Sequence, residues 1–232
     1  LGPRIIAHIE LNQLMPYLNR KALYRISWGA LKARGEQWEK IQKDYDKRLE
    51  KMLQALQTDA WLEPAAGFGH WKANSEGNTI LLYDPEDDHS VIARFPLPRQ
   101  MEGEKLCLAD YLPAQTSEKK SLLSLQIVTM GKKASETVNA YFNSGNYAEG
   151  YFSHGLAVQF AEAAAEYIHH LIRTELKLKK NQGKRYSWGY EPIPDLAQHQ
   201  ILFNLIPVRE ELGMELTSAY QLIPEQSTAA MV

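Results

Sequence analysis

The sequence predicts one α+β domain, built on a central twisted, mainly antiparallel sheet flanked by helices. Three observations carry this expectation. Helical periodicity fills the N-terminal part and returns in a long stretch after Gly155; short β-rich runs separated by polar turns fill the middle; and no repeat, low-complexity linker or composition break divides the 232 residues. A chain of that length buries roughly 70% of its unfolded surface, so a single cooperative core is within reach and the domain is read as residues 1–232.

The N-terminal helices are expected over about residues 10–57. From 10 to 33 the helical pattern is weak and Pro16 interrupts it, which predicts two short helices. From 36 to 56, Trp38, Ile41, Tyr45, Leu49, Met52, Leu53 and Leu56 recur at spacings of three and four, with charged residues between them. This is an amphipathic helix. The β-rich centre, about 66–131, contains GFGHWKA, TILLYD, SVIARFPLP and LLSLQIVTMG, separated by the turn-forming NSEGN, DPEDD and TSEKK.

A long helix follows over about 155–178. Leu156, Phe160, Ala164 and Leu171 form one apolar row, and Ala157, Ala161, Ile168 and Ile172 form another beside it; the alanines predict close packing. A loop at 182–195 leads to a C-terminal helix and strands at 195–232. Asp195 is the expected N-cap of that helix, Pro207 its expected stop, and ELTSAYQLI and STAAMV read as strands.

Composition narrows the function. With 26 basic and 28 acidic residues the net charge is -2, which gives no long-range attraction to nucleic acid or anionic lipid. No apolar run approaches the ~20 residues of a membrane span, and LGPRIIAHIE contains no signal-peptide core. The lone Cys107 cannot form an internal disulfide, pointing to a reducing compartment. The expectation is a soluble, cytoplasmic protein that binds neither membrane nor nucleic acid.

The most informative segment is QGKRYSWGYEPIPD, residues 182–195, with Arg185, Tyr186, Trp188 and Tyr190 close together and Gly189 among them. Arg185 has the planar fork that suits a carboxylate, the glycine lets a ligand approach the backbone, and the rings could face a cation. An amino acid joined to a sulfonium would use all three. The residues also fit a plainer account, in which the aromatics close the edge of a core beside a solvated arginine. Because QGK and SWGYEP flank Arg185, the sequence predicts that its loss leaves the fold intact.

RYSWGY resembles the Arg-x-x-x-Gly-Tyr signature of the S-adenosylmethionine-binding activation domain of cobalamin-dependent methionine synthase, and EPIPDL resembles the Pro-rich continuation. The likeness extends, in family order, to YLNRKALYRISWG, GNTILLYDPE, ARFPLPRQ, LCLADYL, HGLAVQFAEAAAEYIHHLIR and LGMELTSAYQLIPEQSTAAM. The resemblance implies a methionine synthase activation domain-like fold and a cofactor loop at 182–195. Arg185 would hold the methionine end of S-adenosylmethionine, with Gly189 and Tyr190 completing the loop and Tyr186 and Trp188 beside them. FAEAAAEY places the family's acidic site residue at Glu162. Without the resemblance, Glu162, Glu166, His169 and Arg173 read as a solvated helical stripe.

Two departures from the family pattern stand out. Asn19 in PYLNRK occupies the place of an aspartate in some members, keeping an acceptor oxygen at the site but losing its charge. Family members also continue past STAAMV with a histidine- and tyrosine-containing strand, whereas this sequence stops at Val232. The site is then either completed differently or the sequence is part of a longer polypeptide.

Several other motifs are set aside on their context. Gly67-Phe68-Gly69 lacks the third glycine of a dinucleotide fingerprint. Asp87-Asp88-His89 has Ile92 where a cobalamin-binding Asp-x-His-x-x-Gly needs glycine, and is expected to form a turn. His169-His170 lacks a third metal ligand, so neither a metal site nor a catalytic dyad is expected.

The resemblance implies a reactivation module that presents the methyl group of S-adenosylmethionine to a cob(II)alamin held by another module, with a flavodoxin-type electron donor. It would thus be part of a methyltransferase without being catalytic alone. The alternative from another class is a non-catalytic domain of the same fold that senses S-adenosylmethionine or docks on a corrinoid protein.

Overall fold

The computed structural model describes all 232 residues. Its strands are β1 (Gly2–Ile6), β2 (Ala65–Glu76), β3 (Thr79–Tyr83), β4 (Val91–Pro96), β5 (Ser121–Thr129), β6 (Tyr186–Ser187), β7 (Glu215–Leu216), β8 (Leu222–Ile223) and β9 (Ser227–Met231). Seven of them form one sheet in the order β4-β3-β2-β5-β9-β6, with β1 on β2, while β7 and β8 make a separate hairpin. Every pair in the main sheet is antiparallel. The long β2 accommodates two neighbours on one edge, β1 along residues 66–70 and β3 along 73–76, and pairs with β5 on the other.

Side chains alternate across this sheet, so each strand feeds two cores. On β5, Leu123, Leu125 and Ile127 enter one core and Val128 the other. The Val128 side is covered by α5 (Tyr147–Glu175), whose Leu156, Phe160, Ala164, Ile168 and Ile172 are fully buried. Around α5 pack the N-terminal helices through Leu14, Leu23, Trp28 and Leu49. Alanines at 157, 161, 164 and 165 bring the helix so close that Gln126 of β5 donates to the Ala165 carbonyl at 3.0 Å. The opposite side holds Trp71, Leu125 and Ile127 against α6 (His199–Leu205) and α7 (Val208–Leu212) through Leu202, Phe203 and Val208.

The expected amphipathic helix is α3 (Gly35–Thr58). Pro16 starts a 3-10 turn, Met15–Tyr17, between the short helices α1 (Leu11–Leu14) and α2 (Arg20–Ala22), and a π-helical turn, Leu23–Ser27, follows. Asp195 accepts a hydrogen bond from the Ala197 amide at 2.9 Å, capping a 3-10 turn that runs into α6, which ends at Leu205 before Pro207. Four features depart from expectation. The sequence reading misses β1 and an extra helix, α4 (Lys132–Asn143); α5 starts at Tyr147 and ends at Glu175 rather than spanning 155–178; and ELTSAYQLI breaks into the β7–β8 hairpin. No helix is long and apolar enough to cross a membrane.

Candidate functional site

The loop after α5 returns to the sheet through β6, whose Tyr186 and Ser187 pair with Met231 and Ala230 of β9. This pairing sets the loop at the rim of the sheet beside the outer face of α5. A groove of about 290 Å³ opens there, lined by Glu162, Arg185, Tyr186, Ser187, Tyr190 and Pro192.

Arg185 is the centre of the groove's electrostatics. Its side chain is only 15% exposed, and its Nη2 donates to Glu162 Oε2 at 3.2 Å and to Glu166 Oε1 at 2.9 Å. Its Nη1 is buried without a hydrogen-bond partner. A buried guanidinium donor with no acceptor costs free energy until a ligand or water supplies one.

The rest of the same helical face holds the loop's backbone. His169 Nε2 donates to the Gly183 carbonyl at 2.7 Å, and Arg173 donates to the Gly183 carbonyl at 3.0 Å, to the Lys179 carbonyl at 2.7 Å and to the Gln182 carbonyl. Glu162, Glu166, His169 and Arg173 therefore form a gripping face rather than a merely solvated stripe. Sequence reasoning missed Glu166, although its place one turn after Glu162 was the available signal, and it also missed the groove-lining Ser187 and Pro192.

The other residues singled out from the sequence divide between groove and scaffold. Tyr186 and Tyr190 line the groove, Tyr190 being exposed. Gly189 has φ of 85°, a left-handed conformation that side chains disfavour, and its amide donates to the Ile193 carbonyl at 2.8 Å to close the turn. Trp188 does not face the groove. It is buried in the second core against Phe95 and His199, and its indole N–H donates to Gln198 at 3.1 Å, so it anchors the loop from below. Asn19 does not line the groove either; its side-chain oxygen caps α2 by accepting from the Ala22 amide at 3.0 Å.

Burial pushes the His199 imidazole below its ordinary pKa, against the opposing effect of its hydrogen bond to the Tyr220 carbonyl. No group of three His, Cys, Asp or Glu side chains is placed to hold a metal ion.

These features define the class: an α+β domain that carries a polar, charge-paired groove on the rim of an antiparallel sheet. Comparison with known proteins makes the class specific. The family described as vitamin B12 dependent methionine synthase, activation domain, matches residues 10–232. The methionine synthase of Mycobacterium tuberculosis (strain ATCC 25618 / H37Rv) is 34% identical, and that of Mycobacterium leprae (strain TN) is 33% identical, each match covering 100% of this chain and 22% of the relative. The chain thus spans 22% of the length of these curated relatives. A solved structure, the MetH reactivation domain bound to AdoHcy, shares the fold with a TM-score of 0.87 at 23% identity, covering 100% of this chain and 78% of that one. The chain belongs to the family of activation domains of vitamin B12 dependent methionine synthases.

Proposed function

We propose that the groove binds S-adenosylmethionine and that the domain serves to reactivate a cobalamin carried on a module outside these 232 residues. The observation that carries this reading is the Arg185–Glu162 pair with Nη1 of Arg185 still lacking an acceptor. The amino-acid end of S-adenosylmethionine carries a carboxylate and an ammonium; Arg185 matches the first and Glu162 the second. Tyr186 and Tyr190 add aromatic faces suited to a sulfonium or a nucleobase. The bound AdoHcy of the structural neighbour, which carries the same amino-acid and adenosine groups, supports the same reading. At about 290 Å³ the groove lies near the lower end of ligand sites, which run from ~300 Å³, consistent with an open rim rather than an enclosed pocket.

When bound, S-adenosylmethionine supplies an electrophilic methyl group for a reduced cobalamin, the electron coming from a flavodoxin-type donor. The protein's share is orientation. Arg185, Glu162 and the turn at Gly189 fix the amino-acid end against α5 and the sheet rim, and such positioning supplies ~7 to 11 kcal/mol in well-oriented reactions. The nucleophile in such a transfer belongs to the partner module, so no general base is needed from this chain, which acts as part of a methyltransferase rather than as a catalyst alone.

Titration calorimetry and thermal melting with S-adenosylmethionine test the proposal. Binding is expected without any corrinoid present, and ligand at a hundred times its Kd adds about 2.7 kcal/mol of stability. Absence of both heat and thermal shift at millimolar ligand would overturn it.

A further inference from the structure

Arg185 is held by two carboxylates, and the proposed reading uses only one of them for the ligand. Glu162 lines the groove, while Glu166 does not, although it makes the shorter contact to Nη2, 2.9 Å against 3.2 Å. Glu166 stands beside the face that grips the loop: its Oε2 lies 3.7 Å from Nδ1 of His169, beyond hydrogen-bond distance, and the other nitrogen of that ring holds the Gly183 carbonyl two residues before Arg185.

We infer that Glu166 is a positioning residue for ligand recognition: it pins Nη2 of Arg185 on the α5 face, so that Nη1 remains the donor for the ligand's carboxylate. The inference rests on the reading of the groove as an S-adenosylmethionine site. Once Glu162 also accepts hydrogen bonds from the ligand's ammonium, its charge is divided between two cations and its hold on the arginine weakens. Glu166 has no such second claim from the groove. A guanidinium released from Glu166 keeps its charge but loses its fixed orientation, and the two-pronged geometry is what distinguishes arginine from a point charge.

The roles of the two carboxylates separate by ligand chemistry. Decarboxylated S-adenosylmethionine retains the adenosine, sulfonium and amine and lacks only the carboxylate that Nη1 would meet. Calorimetry on wild type, Glu166→Ala and Glu166→Gln is therefore run with both ligands, alongside melting curves of the free proteins. Glu166→Ala is expected to weaken S-adenosylmethionine binding roughly three- to thirtyfold, within the span of coupling between contacting residues, while changing affinity for the decarboxylated ligand by less than about twofold. Glu166→Gln keeps an acceptor oxygen for Nη2 and is expected to restore S-adenosylmethionine affinity to within about threefold of wild type.

Equal losses for the two ligands would make Glu166 a structural residue, and no loss for either would make it a bystander; each result overturns the inference while leaving the ligand assignment intact. Failure of the wild type to bind S-adenosylmethionine would instead overturn both.

Discussion

Nη2 of Arg185 lies between two carboxylates and Nη1 has none, an arrangement that would link the proposed ligand recognition to the anchoring of the loop. The sequence, with polar residues on both sides of Arg185, predicts that removing it leaves the melting temperature nearly unchanged. With the side chain 15% exposed and paired to α5, a cost is expected, but Glu162 and Glu166 are 48% and 49% exposed, so solvent screening holds it to about 1 kcal/mol. Arg185→Ala should therefore lower the melting temperature by about 2 to 4 °C, the shift that 1 kcal/mol produces in a domain of this size. The effect on the ligand should be much larger: losing one partner of a desolvated charged pair costs ~2 to 5 kcal/mol, at least a tenfold rise in Kd. Arg185→Lys should recover only part of it, since an ammonium lacks the fork. Wild-type Kd in both variants would make Arg185 a bystander, and an unfolded Arg185→Ala would make it a structural residue.

Helix α5 shows why elements were legible to different degrees. Its two apolar rows marked the body of the helix because it packs there against the sheet and the N-terminal helical segment. Its first two turns, before the expected start at Gly155, went unread because Gly150 and Gly155 lower helical propensity at that end, and both are present for packing. A Cβ at Gly150 would come within 2.7 Å of the Phe142 ring of α4, and one at Gly155 within 2.9 Å of Trp28. Tertiary contact thus overrides local preference. The same holds for α4, where only Ala134 and Val138 are buried, too few to set a period. It holds also for β1, where Pro3 obscures a strand that pairs on one side only. A test follows at Gly155. On propensity, Gly155→Ala in a helix interior would stabilise by about 1 kcal/mol; against the buried Trp28 indole, overpacking costs ~1 to 3 kcal/mol. Net destabilisation in urea melts is expected, and a rise in the unfolding midpoint would show that Trp28 yields freely.

For the molecule as a whole, short β-rich runs separated by polar turns, together with helical periodicity on either side of them, were enough to predict an antiparallel sheet flanked by helices. The site was legible as the composition of one loop and, through the family resemblance, as Arg185 and Glu162, but not in its geometry. The placement of the rings depends on β6 adding to β9: Tyr186 and Trp188, two residues apart, both pack against the second core, Trp188 buried and Tyr186 partly buried while also lining the groove, and Tyr190 stands exposed at the rim. That register is set by long-range backbone hydrogen bonds, which no local pattern reports. The protonation of one buried histidine and of two ion-paired surface carboxylates should also be read in global stability. Under the loop, His199 is 5% exposed and its pKa is lowered by burial. Across the sheet, Glu175 is held below the usual carboxylate range by Arg4, with His70 assisting, and this joins β1 and β2 to the end of α5. At the rim of β3 and β4, Asp110 is pulled down to about 2 by its hydrogen bonds with Arg99 and the Cys107 amide. For His199 the unfolded state binds the proton more readily, so stability is complete above the ordinary histidine pKa of about 6.5 and declines as pH falls below it. For Glu175 and Asp110 the folded state favours the ionised form, so their contribution is present above the ordinary carboxylate range and is lost only as pH falls through and below it. Urea midpoints from about pH 8 downward should then show an upper decline beginning near about pH 6.5 and a separate acid decline beginning near about pH 4.5. His199→Asn keeps a donor for the Tyr220 carbonyl without a titrating ring, and should flatten the upper decline while leaving the lower one in place. An upper decline of wild-type size in His199→Asn would assign it to another histidine, and a flat wild-type profile above the carboxylate range would show that the buried imidazole is tolerated in its charged form.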